Sequence, residues 1–248
     1  VEDLAQFIAV GFIAQMVDGA IGMAYGLSAS SILLSLGLPP VAVSASVHAA
    51  EVFTTGASAL SHWRLGNVDR RIFGRLVVPG LIGGALGAAL LSAVPGQWVR
   101  PFVSFYLVVM GVVILAKTFR PHAAQRQPSR RLRPLAFVGA VLDAVGGGGW
   151  GPIVTSSMIG WGVPPRLAVG TSNSAEFFIT TVIAGVLLPH VTADTVTVVA
   201  GLVLGGVLAA PLAALLTRRL PVRLLMGLVG GTIVLISLND LGRAWAAW

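Results

Sequence analysis

Two glutamates, Glu51 and Glu176, stand near the middle of long apolar stretches. An ionisable side chain at bilayer depth faces a bundle interior or an aqueous path, where it can carry a proton or hold an ion. His48 lies three residues before Glu51 and Asn173 three before Glu176, while Thr55 and Thr180 follow four residues after. On helices these groups share one face with each glutamate. His48 beside Glu51 is a candidate proton carrier. The plainer reading is that these groups satisfy one another, as interhelical polar contacts do for about 0.6 kcal/mol each. Asp18 and Asp143 each precede a glycine-bearing joint, Gly19 to Gly22 and Gly146 to Gly149. A carboxylate there can accept the free N–H groups of a following half-helix, as an N-cap does. Tyr25 and Trp150 occupy equivalent places beside the joints, and both can donate a hydrogen bond to an anion. Ser46, Thr171 and Ser172 add donors without a nearby lysine or arginine, a set suited to a small oxyanion held by dipoles.

These residues come in pairs because the chain contains one segment twice. Asp18 to Thr55 aligns without a gap on Asp143 to Thr180, at an offset of 125 residues, and eleven of the 38 positions are identical. Asp18/Asp143, Gly22/Gly147, Gly26/Gly151 and Glu51/Glu176 are among them.

The elements that must position them are membrane helices. Hydrophobic residues make up 56% of the 248-residue chain, charged residues 10%, and the mean hydropathy is +0.89, too apolar for a soluble domain. Apolar runs at Val41 to Leu60, Leu76 to Val94 and Val99 to Ala116 are long enough to span, as are Leu167 to Leu188, Val196 to Leu216 and Leu224 to Leu238. Each trio is preceded by two short runs, Leu4 to Val17 with Met23 to Leu36, and Leu135 to Val145 with Trp150 to Trp161. A span needs roughly 20 residues, so the short runs predict re-entrant half-helices broken at Gly22 and at Gly147 and Gly148. The expected fold is an all-α membrane protein of two repeats, residues 1–117 and 134–248, joined by a basic linker at 118–133. Each repeat is a broken-helix pair followed by three transmembrane helices.

Loop charge sets the expected orientation. Lys117 to Arg133 carries six basic residues and no acid, and Arg64, Arg70, Arg71 and Arg75, with Arg218, Arg219 and Arg223, mark two further loops as cytoplasmic. Each repeat then crosses three times, so the two are inverted and both termini lie on the periplasmic side. The first apolar run has no basic n-region or cleavage site and reads as part of the mature chain. Inverted repeats with broken helices near the midplane are the architecture of secondary transporters.

Other classes find less support. The net charge of +7 resides in loops where the positive-inside bias explains it, so nucleic acid is not an expected partner. There is no cysteine, no G-x-S-x-G and no H-E-x-x-H, and an enzyme is not expected. No cofactor is implied. The chief alternative is a cation carrier in which Glu51, Glu176, Asp18, Asp143 and His48 hold a metal ion or sodium; against it, the acids are scattered along the sequence rather than ligand-spaced.

The segments Gly146-Gly147-Gly148-Gly149-Trp150-Gly151-Pro152, Gly162-Val163-Pro164-Pro165 and Ala168-Val169-Gly170-Thr171-Ser172 resemble the second-half signature of the sulfite exporter TauE/SafE family of transmembrane permeases. Asp18-Gly19-Ala20-Ile21-Gly22-Met23 and Ser44 to Phe53 resemble the matching first repeat. The first half departs from the pattern, with fewer glycines, Ser46-Val47 in place of Thr-Ser, and His48. The resemblance implies movement of a small sulfur-containing or organic anion, such as sulfite or a sulfonate, outward across the bacterial inner membrane. An anion approaching Glu51 and Glu176 is repelled unless these acids carry protons, so the expected coupling ion is the proton. The partners expected are therefore the anion, protons and the lipid bilayer; an oligomer is compatible with the sequence.

Overall fold

The computed structural model describes residues 2–21, 24–117, 131–216 and 222–246, and every element among them is helical. In chain order these are α1 (Glu2–Ile21), α2 (Tyr25–Ser35), α3 (Pro40–Arg64), α4 (Arg70–Ala93), α5 (Gly96–Lys117) and α6 (Leu132–Gly146). A π-helical turn (Gly151–Thr155) then runs into α7 (Ser156–Gly160), followed by α8 (Pro165–Leu187), a 3-10 turn (Leu188–His190), α9 (Ala193–Leu216) and α10 (Val222–Ala246). Gly22 and linker residues 118–130 lie outside the described residues. Among the described residues, three segments are long and apolar enough to cross a membrane: Arg70–Ala93, Gly96–Ala116 and Arg166–His190. Large apolar side chains such as Phe102 and Leu235, each 72% exposed, point outward and suit a lipid environment.

One expectation of length is corrected. The Leu4 to Val17 run predicts a half-helix, whereas α1 is a continuous 20-residue helix. Backbone hydrogen bonding continues through polar Glu2, Asp3 and Gln6 at one end and through Asp18 and Gly19 at the other. An apolar run measures the lipid-matching stretch, not the hydrogen-bonded length. The second-half counterpart α6 has 15 residues, and α2 has 11.

Packing joins the two halves throughout. The principal pairs are α1 with α9, α4 with α6, α5 with α10, and α3 with α8, each drawn from both halves. Exchanging the halves turns α1/α9 into α6/α4 and α3/α9 into α8/α4, pairs that also occur. With lipid as solvent there is little hydrophobic drive between helices, and close van der Waals approach takes its place. Small residues permit it. Gly83 and Gly87 of α4 sit against the backbone at Phe137 and Val141 of α6, and Gly205 of α9 against Ile8 and Phe12 of α1.

The ends of the helices are fixed by local chemistry. Pro40 and Pro165 occupy the first helical positions of α3 and α8, where the missing N–H costs nothing. Asp69 caps α4, its Oδ1 accepting from Arg71 N (2.8 Å) and Ile72 N (3.1 Å). Asp69→Ala is expected to cost about 1 kcal/mol, read as a fall of roughly 2–4 °C in the thermal midpoint. Arg100 of α5 donates from Nη2 to Asp240 Oδ1 of α10 (2.5 Å) and to the Leu34 carbonyl in the last turn of α2 (2.7 Å). Ser104 donates to the other oxygen of Asp240, so this buried carboxylate has a partner at both oxygens.

Candidate functional site

The site begins where α6 ends. Gly147, Gly148 and Gly149 have φ of +68°, +145° and +139°, a run that side-chain-bearing residues rarely adopt. Asp143, still in α6, reaches across this break. Its backbone carbonyl accepts Gly148 N (3.0 Å), and its Oδ1 accepts Trp150 N (2.9 Å) where helix resumes. The first half uses the same device, with Asp18 Oδ1 accepting Ala24 N (2.9 Å) and Tyr25 N (3.2 Å) at the start of α2. Both aspartates therefore cap a following half-helix from inside the preceding one.

The second joint packs against the first turn of α2. A methyl group on Gly26 would come within 2.7 Å of both Gly148 Cα and Glu51 Oε1. Only bare backbone fits at this crossing, and the Glu51 carboxyl lies directly against it.

Below the crossing lies a cavity of about 320 Å³. From α3 it is lined by Glu51, Thr54, Thr55, Ser58 and His62, and from α8 by Val169, Asn173 and Glu176. Both sets recur every three or four residues, one stripe on each helix. Gln15 and Asp18 of α1, Tyr25, Gly26 and Leu27 of α2, and Gly149, Gly151 and Pro152 complete the wall. Three carboxyl-bearing residues line this space, with no lysine or arginine among the lining residues. Asn173 Nδ2 donates to Ser58 Oγ (2.8 Å), bridging α8 and α3 across it. The α3 stripe descends three turns from Glu51 to His62, beside Arg64, so the cavity extends toward the arginine-bearing end of the bundle.

The other predicted residues are packed around this space. Ser46 is buried and donates to the Ala42 carbonyl. His48 is fully buried, with Nε2 3.3 Å from Asp143 Oδ2 and Nδ1 3.1 Å from Ser44 Oγ. Trp150 is fully buried and donates from Nε1 to Ser172 Oγ (2.8 Å), which also accepts from Thr155 Oγ1 (2.6 Å). Thr171 Oγ1 accepts Asp69 N (2.9 Å), tying the loop before α4 to α8. Tyr25, Asp18, Glu51, Asn173 and Glu176 thus face the cavity. Ser46, His48, Trp150, Thr171, Ser172, Asp143, Gly147 and Gly148 are not among its lining residues. Sequence reasoning passed over Gln15, Thr54, Ser58 and His62. The signal was present, since Gln15 is three residues before Asp18, and Thr54, Ser58 and His62 continue the helical stripe that begins at Glu51.

The sequence that builds this arrangement has relatives among known proteins. The profile of the family described as Sulfite exporter TauE/SafE matches residues 7–239. The chain belongs to the sulfite exporter TauE/SafE family. As a TauE/SafE protein it is an integral membrane transporter. It is 40% identical over 253 residues to the "Probable membrane transporter protein YtnM" of Bacillus subtilis (strain 168), covering 98% of this chain and 84% of that one. It is also 25% identical over 143 residues to the "Probable membrane transporter protein ORF9" of Sinorhizobium sp., covering 58% of this chain and 53% of that one. No solved structure matches it.

Proposed function

We propose that this TauE/SafE protein exports a small sulfur-containing or organic anion, such as sulfite or a sulfonate, across the bacterial inner membrane together with protons. The observation that carries this reading is that Glu51 and Glu176, counterparts in the two repeats, line one cavity beneath the crossing of the two broken helices. A proton taken up by Glu51, the carboxyl that lies against the crossing, removes a negative charge from a space lined by no lysine or arginine. An anion then enters at far lower electrostatic cost, so anion and proton travel together. Gln15, Ser58 and Asn173 supply neutral polar groups around the anion, while the Tyr25 hydroxyl donates to the Leu202 carbonyl (3.3 Å). The two halves act as inverted repeats and rock about the level of the crossing, with both termini periplasmic and the arginine-bearing end cytoplasmic. On that reading the cavity opens inward, where an exporter collects its cargo.

Counterflow of labelled sulfite in proteoliposomes, run with and without a pH gradient, tests the coupling. The gradient is expected to change the rate; equal rates would contradict proton linkage.

A cation carrier is the second reading, favoured by the three carboxyl-bearing residues in the cavity. Among the described residues no three His, Cys, Asp or Glu side chains gather closely enough to hold a metal ion. Thermal unfolding with a panel of oxyanions, metal ions and sodium separates the readings, since a ligand at 100 times its Kd stabilises the native state by about 2.7 kcal/mol. Sulfite or a sulfonate is expected to raise the midpoint. A rise with a cation alone would favour the second reading.

A further inference from the structure

The 125-residue offset relates more than the cavity acids. His48 corresponds to Asn173, and Asp143 to Asp18. Counterpart pairs in a repeated fold have the same opportunity to meet, yet here their situations differ. His48 and Asp143 are 0% and 1% exposed, with Nε2 and Oδ2 3.3 Å apart, and they join α3 of the first half to α6 of the second. Around them the packing is closed. Ser44 Oγ donates to the Ala144 carbonyl (2.6 Å), Ser30 donates to the Gly147 carbonyl, and Ser44 to His48 are each at most 1% exposed. Asn173 and Asp18 instead both line the cavity, with Asn173 bonded to Ser58 and Asp18 to the N–H groups opening α2.

We infer that His48–Asp143 closes one end of the transport path and that Asn173–Asp18 is the counterpart closure of the other end, open in this structure. The inference rests on the alternating-access reading above. When the halves rock, Asn173 of α8 meets Asp18 of α1 as His48 parts from Asp143, and the cavity moves from one side of the glycine crossing to the other. The two closures differ in chemistry. Asn173 offers Asp18 a side-chain amide, whereas His48 offers Asp143 a rigid imidazole whose Nδ1 lies 2.8 Å from the Ser44 carbonyl, which holds Nε2 toward the carboxylate. The end now shut therefore has the stronger available clasp.

The test exploits the absence of cysteine from the chain. Val169→Cys reports the open end from the cavity wall. Ser44→Cys, its counterpart 125 residues earlier, reports the closed end. Each is placed in the parent chain and in Asn173→His, which gives the open pair the imidazole of the closed one. The rate of maleimide labelling of purified, monodisperse protein is then measured. In Asn173→His, labelling at position 169 is expected to fall about tenfold, with a rise at position 44, as a population shift between two states requires. His48→Asn, which makes the closed pair a copy of the open one, is expected to raise labelling at position 44. It covers the case in which Asn173→His does not fold. Unchanged rates at both positions, or a fall at both together, would overturn the inference. Labelling that shifts as expected in a protein showing no sulfite counterflow would instead contradict the anion-transport reading and leave the paired closures standing.

Discussion

Glu51→Gln is expected to abolish the response of anion accumulation to a pH gradient. Glutamine preserves the size and planarity of the side chain, so the contact with Gly26 and the fit beneath the crossing are retained. What disappears is the capacity to bind and release a proton at a position only 4% exposed, on the cavity wall shared with Glu176. For one proton moved with each anion, a gradient of one pH unit supplies about 1.4 kcal/mol, enough for tenfold accumulation. Proteoliposomes containing the variant should hold sulfite at a ratio near one under the same gradient. Passive exchange should persist, because the neutral amide no longer repels the anion. Steady-state accumulation at several imposed gradients measures this, and a slope equal to the parent's would remove Glu51 from the coupling path.

Gly148→Ala is expected to cost at least about 3 kcal/mol, through two effects that add. Its φ of +145° is strained for any residue with a Cβ, and the new methyl would lie 2.6 Å from Leu27 N and 2.7 Å from Gly26 Cα, both backbone atoms that cannot swing aside. At roughly 2–4 °C per kcal/mol for a chain of this size, the thermal midpoint should drop by about 6 °C or more. Gly74→Ala is the control. That glycine lies in the regular helix α4, where an added methyl would meet nothing within 4 Å, and alanine there should be neutral or stabilising by up to about 1 kcal/mol. Equal midpoints for the two variants would mean that Gly148 does not lie against the first turn of α2 as described.

Much of this arrangement could be read from residue order because its causes are local. The prolines opening α3 and α8, the glycine run that breaks the chain after α6, and the aspartates that cap across each break act within about seven residues of themselves. The repeat made them legible twice over. The length of α1 was not legible, because a helix continues by backbone hydrogen bonding through residues that an apolar count excludes. Ser58 and His62 were overlooked because they stand near a span end, where polar residues have an ordinary explanation; only the wall they share with Asn173 reveals their place. The pairing of His48 with Asp143 spans 95 residues and joins different halves, so no local pattern announces it. The same holds for Thr171, whose hydroxyl accepts a loop N–H rather than facing the cavity.

The central claim is that anions and protons share the cavity held between Glu51 and Glu176. Its most direct test is the lumenal pH of proteoliposomes, followed with a trapped dye while a sulfite gradient is imposed across the purified protein and, in parallel, across protein-free vesicles. Coupled movement predicts a protein-dependent pH change that follows the direction of the sulfite gradient and is lost in Glu51→Gln. Protein-mediated sulfite flux with no accompanying pH change would contradict it.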